Sequence, residues 1–134
     1  MQIYANPETS INLYKPDTRH AFAIIVPSTI NRIVDGQKIV VTADDNTRQF
    51  AIDKILVEFS KEFGGASIIE QNGVWFDNDT GKLVYEKSSR IVTLVSEDLN
   101  PHNVGLLLSL ALSVKRFFNQ DAVLIEIDSK GWFV

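Results

Sequence analysis

The sequence predicts an α+β domain of the ferredoxin-like kind, a βαββαβ sandwich with two helices on one face of an antiparallel sheet. Three observations carry that expectation. Residues Phe63 to Val95 read as a helix stop, a strand, a tight turn and a longer returning strand. An amphipathic run precedes this stretch. A second helix-like run and a final apolar strand follow it. The 134 residues fit one domain by size, with residues 1–18 as an irregular arm marked by Pro7 and Pro16.

Each element has its own local reason. A short strand is expected within the arm, at Ser10 to Tyr14. Ala21 to Val26 is a continuous apolar run stopped by Pro27, the pattern of a strand buried on both faces. Asp35-Gly36 sits between two apolar-rich runs within Ile30 to Val41 and signals a two-residue hairpin, or else a looser loop leading to the helix. Asp44, Asp45 or Asn46 can cap the first helix, where acids suit the positive end of its dipole. Ile52, Ile55, Leu56, Phe59 and Phe63 then recur at helical spacing, with Arg48, Asp53, Lys54, Glu58 and Lys61 assigned to the other side. Gly64-Gly65 ends the helix, because glycine enters the left-handed region without steric cost.

Ala66 to Gln71 and Val74 to Phe76 form the next strand, with a bulge or a close backbone approach expected at Gly73. Asp77 to Gly81 is turn chemistry, and Lys82 to Val95 is the return. Asn100 caps the second helix with Pro101 at its first position. Val104 to Phe118 is apolar nearly all round, which predicts burial on more than one side. Leu106, Leu107, Leu108, Leu110 and Leu112 are therefore the expected homo-oligomer interface. Ala122 to Ile127 is the last core strand, and the distal half of Lys82 to Val95 is expected to be covered on both faces.

Composition excludes several classes. A net charge of −4 argues against a nucleic-acid footprint, which concentrates Lys and Arg. With no cysteine there is no disulfide, thiolate metal site or cysteine nucleophile. The opening residues lack both a basic and an apolar segment of a signal peptide, and Val104 to Val114 falls short of the roughly 20 residues of a membrane span. A cytoplasmic protein without membrane or nucleic-acid partners is the expectation.

The order F-x-G-x-S, G-x-W, G and E-x-S is carried by Phe63, Gly65, Ser67, Gly73, Trp75, Gly81, Glu86 and Ser88. Phe118-Asn119-Gln120 follows before the last strand. This pattern resembles a family of small bacterial proteins, many exported or lipid-anchored, with no assigned function. The resemblance covers about the last two-thirds of the chain. It implies the ferredoxin-like fold and no activity. The chain departs from the family in its first third and in lacking an export signal.

Among polar residues, Glu86, Ser88 and Arg90 share one strand face, and Trp75 lies on the neighbouring strand. A carboxylate, a hydroxyl and a guanidinium beside an indole suit a small polar or anionic ligand. The competing reading is a solvated patch of cross-strand ion pairs. His20 and His102 lack metal-site spacing, and Ser28, Thr29, Ser88, Ser89 and Ser129 sit in no nucleophile motif. Asp77 to Asp79 lack the later glutamate of a calcium loop, and the Gly64-Gly65 pair leads into a strand rather than a helix. No cofactor and no metal are expected. The sequence thus favours a non-catalytic, homo-oligomeric interaction or ligand-binding module, a homodimer or larger. The alternatives are a small enzyme of the dimeric α/β-barrel kind with a sheet-face cleft, and an inhibitor of a macromolecular target.

Overall fold

The computed structural model describes residues 13–134. Most of the strand expected at Ser10 to Tyr14 lies outside the described residues, and Leu13 and Tyr14 lie in a turn. The chain then forms β1 (His20–Pro27), β2 (Thr29–Val34), β3 (Gln37–Thr42), α1 (Asp45–Phe63), β4 (Ser67–Asp77) and β5 (Lys82–Val95). It ends with α2 (Pro101–Phe117), β6 (Leu124–Ile127) and β7 (Lys130–Phe133). The main sheet runs β4-β5-β1-β6-β7, and its neighbouring strands are antiparallel. Strands β4, β5, β1 and β6 carry the ferredoxin-like order; β7 extends the edge, and β2–β3 is a separate hairpin.

The local signals explain most of these boundaries. Asp35 (φ 50°) and Gly36 (φ 76°) both take positive φ, as the tight turn between β2 and β3 requires. The Asp44 carboxylate accepts the Thr47 N–H and caps α1, while Gly64 closes it at φ 93°. Asn100 and Asn103 cap α2 reciprocally, each side chain accepting the other's backbone N–H. Gln120 donates to the Thr29 carbonyl and Asn119 to the Asn31 carbonyl, which ties the base of the β2–β3 hairpin to the end of α2.

Both helices cover one sheet face, where Phe22, Ile24 and Val26 of β1 are fully buried. Against them pack Ile55 and Phe59 of α1, Leu107 and Ala111 of α2, and Ile91 and Val95 of β5 in one apolar cluster. The centre of that cluster is aromatic. The Phe63 ring meets Phe22 and Phe59 edge-on at 5.7 and 6.0 Å between centroids.

Three expectations need correction. Gly73 makes no bulge: β4 pairs residue for residue with β5, with Gly73 opposite Glu86, and a Cβ there would meet only the Glu86 carbonyl at 3.8 Å. β7 is an added strand where the sequence showed only a chain end. The α2 leucines serve mostly this chain's own core: Leu107 and Leu110 are buried there, and Leu106 and Leu108 are half-buried against it. Of the five, Leu112 is left 42% exposed, so the helix as a whole is not an unpartnered apolar surface. The distal half of β5 is covered on the helix face, and on the other face Leu94 is 55% exposed within this chain.

Phe59→Ala removes a fully buried ring and is expected to cost about 3–5 kcal/mol in urea unfolding. A cost under about 1 kcal/mol would contradict this placement of the core.

Candidate functional site

The alternation of β5 dictates two chemically distinct surfaces. One parity, Ser89, Ile91, Thr93 and Val95, points under the helices and is buried. The other parity holds Glu86, Ser88, Arg90 and Val92. Because β4 pairs Ile69 with Arg90, Gln71 with Ser88, Gly73 with Glu86 and Trp75 with Val84, Trp75 shares that second face. Trp75, Glu86, Ser88 and Arg90 thus lie on one open sheet surface. They do not converge there. Arg90 is closed in an ion pair with Glu126 (Nε to Oε1, 2.7 Å), and the Gln71 amide donates to Ser88 at 3.1 Å. Arg90 and Glu86 line two different hollows.

A tighter polar constellation lies on the helix side. Arg48 falls four and seven residues before Ile52 and Ile55, so it belongs to the sheet-facing stripe of α1 and not to the solvent face expected for it. Its side chain is only 17% exposed. Its Nη2 donates to Ser89 Oγ and, at 3.2 Å, to Glu70 Oε2. Ser89, fully buried, donates to Glu70 Oε1 at 2.7 Å. The Ser89 hydroxyl, and after it Arg48, holds the Glu70 carboxyl below its ordinary range, against a smaller opposing effect of burial. Glu70 is therefore a fixed anion at neutral pH. Arg48 Nε is buried without a partner among the described residues.

Two hollows meet at this cluster. One, of about 390 Å³, lies between the strand ends at Ser28, Thr29, Thr42 and Ala43, the first turn of α1 at Asp45 and Arg48, and Tyr85 to Lys87 of β5. The second, of about 370 Å³, is lined by Arg48, Glu70, Gln71, Asn72 and Lys87. Both share Arg48 and Lys87. The sequence held a usable sign of this site: a charged residue on the apolar stripe of α1 and a serine on the inward parity of β5. Glu70 carried no such mark, since its partner is set by strand register.

The histidines are engaged elsewhere, His20 with Asp128 at 2.7 Å and His102 with Glu62 at 2.6 Å. Among the described residues no group of three His, Asp or Glu side chains is placed to hold a metal, and no helix is long and apolar enough to cross a membrane.

No family model and no curated protein matches this chain. Solved structures do. A phage SAM lyase in complex with S-methyl-5′-thioadenosine aligns with a TM-score of 0.53 and 23% identity, covering 86% of this chain and 88% of that one. A phage SAM lyase in the apo state aligns at 0.57 and 22%, over 93% and 95%. This likeness establishes the fold they share.

Ser89→Ala removes the donor that holds Glu70 ionised and leaves the Arg48 guanidinium without that acceptor. The expected cost is about 1–3 kcal/mol, with the Glu70 carboxyl titrating at higher pH in NMR. Because folding lowers the Glu70 pKa, this stabilisation is present above the ordinary value of 4.5 and is lost as pH falls through the lower folded value. The gap between the two proteins is thus widest above pH 4.5 and narrows on acidification. A gap constant with pH would contradict the coupling.

Proposed function

We propose that this protein binds S-adenosylmethionine (SAM) or a close relative and cleaves its carbon–sulfur bond, releasing S-methyl-5′-thioadenosine. The observation that carries this reading is the likeness in fold to phage SAM lyases along nearly the whole length of both chains. The hollow beside Arg48, Ser89 and Glu70 supports it with suitable chemistry. A carboxylate kept anionic is a good acceptor for ribose hydroxyls, a role acids play in other nucleotide sites. In the cleavage both electrons of the C–S bond stay on sulfur, which leaves as a neutral thioether, while the four-carbon fragment loses a Cβ proton to water and that C–H pair forms the Cβ–Cγ double bond. The sequence alone favoured a non-catalytic module. The fold likeness favours the enzyme alternative, with its site at the end of the helical layer and not on the open sheet face.

The test is direct. Purified protein incubated with SAM is expected to generate S-methyl-5′-thioadenosine, followed by liquid chromatography, and Glu70→Gln to slow this at least tenfold. Absence of product above the enzyme-free background, together with no binding of S-methyl-5′-thioadenosine in calorimetry, would overturn the proposal.

We also propose a homo-oligomer, assembled through the hairpin ends. Val74, Trp75, Phe76, Leu83 and Tyr85 at the tip of β4–β5 are 48–71% exposed, and Ile33 and Val40 of β2–β3 are 67% and 60% exposed. Clustered apolar exposure of this kind marks association surfaces. Light scattering is expected to give a multiple of 15.0 kDa. A monomer at high micromolar concentration would contradict it.

A further inference from the structure

Lys87 occupies an unusual place for a strand lysine. A lysine near a hairpin end is ordinarily a solvated side chain that blunts the sheet. This one has the inward parity of Ser89, two residues further toward the tip, and it lines both hollows of the site. It has no hydrogen-bond or ion-pair partner among the described residues, although its charge helps to lower the Glu70 pKa. Beside it lies Arg48, whose Nη2 is engaged by Ser89 and Glu70 while its buried Nε has no acceptor. Two cations therefore flank one space, the Lys87 ammonium with donors to spare, and Glu70, the acid between them, is already engaged by Ser89 and Arg48. Asp45 stands at the first turn of α1 on the first hollow's wall. An anionic group of the ligand, placed between Lys87 and Arg48, would accept from the Lys87 ammonium and relieve the mutual repulsion of the two cations.

We infer that Lys87, with Arg48 beside it, forms the subsite for the carboxylate of the ligand's aminobutyrate tail. This inference rests on the adenosyl-ligand reading above and adds to it the part of the ligand that SAM carries and S-methyl-5′-thioadenosine lacks. The two ends of the ligand then have separate readers. Glu70 takes the nucleoside, and Lys87 takes the amino-acid tail.

Calorimetry with S-adenosylhomocysteine and S-methyl-5′-thioadenosine separates these roles, since both are neutral at sulfur and only the first bears the tail carboxylate. The unaltered protein is expected to bind S-adenosylhomocysteine more tightly. Lys87→Met is expected to weaken that binding roughly tenfold or more while leaving S-methyl-5′-thioadenosine affinity unchanged. Lys87→Arg, which keeps the charge, is expected to retain it within about threefold. An equal loss for both ligands, or no loss for either, would overturn the Lys87 assignment while the adenosyl reading survived. Failure of the unaltered protein to bind either ligand would instead overturn that reading and the subsite with it.

Discussion

The structure depends on a mismatch in length between β5 and the helix laid across it. Fourteen extended residues span about 46 Å, whereas the nineteen residues of α1 reach about 28 Å. Where α1 covers β5, the inward side chains of Ile91, Thr93 and Val95 are buried, the Thr93 hydroxyl donating to the Gly65 carbonyl. Where the covering stops, apolar burial cannot continue, and the inward positions at its edge, Ser89 and Lys87, are polar. Ser89 is the residue at that boundary. Its hydroxyl, sealed from water, requires partners, and Arg48 from the start of α1 and Glu70 from β4 supply them. Beyond Ser89 the hairpin runs on without a helical layer, which leaves Lys87, Tyr85 and Leu83 exposed. Core, polar cluster and apolar tip are successive consequences of one long strand.

Much of the scaffold was legible because it is written in local stereochemistry. Asp35-Gly36, Asp44, Gly64 and Asn100-Pro101 each encode a turn or cap that needs no tertiary partner. The limits of β5 followed from the turn residues before it and the polar stretch after it. The errors arose where tertiary context decided. Gly73 within a strand pattern signals a break, yet with an ordinary partner opposite, glycine simply continues the strand. The closing Lys130 to Phe133 lacks strand alternation and pairs because Asp128 and Ser129, both at positive φ, turn the chain back along β6.

The site was less legible than the fold, for a related reason. Glu86, Ser88 and Arg90 share parity and the register adds Trp75 to their face, but a common face is not a common pocket. Arg90 is occupied by Glu126, a residue 36 positions away that no local pattern links to it. The residues that do converge, Arg48, Glu70, Ser89 and Lys87, come from a helix and two strands, and register brings them together. Similarly, α2 looked too apolar for one chain to bury. In fact its leucines fill the space between β1, β6 and α1, and the surplus apolar surface lies on the hairpins instead.

A crystal structure with S-methyl-5′-thioadenosine bound would test the placement of the site most directly. The nucleoside should lie at the junction of α1 and β5, its ribose against Glu70, with Lys87 beside it toward the hairpin tip. Density on the opposite sheet face, against Trp75 and Arg90, would show that function resides on the other side of the sheet.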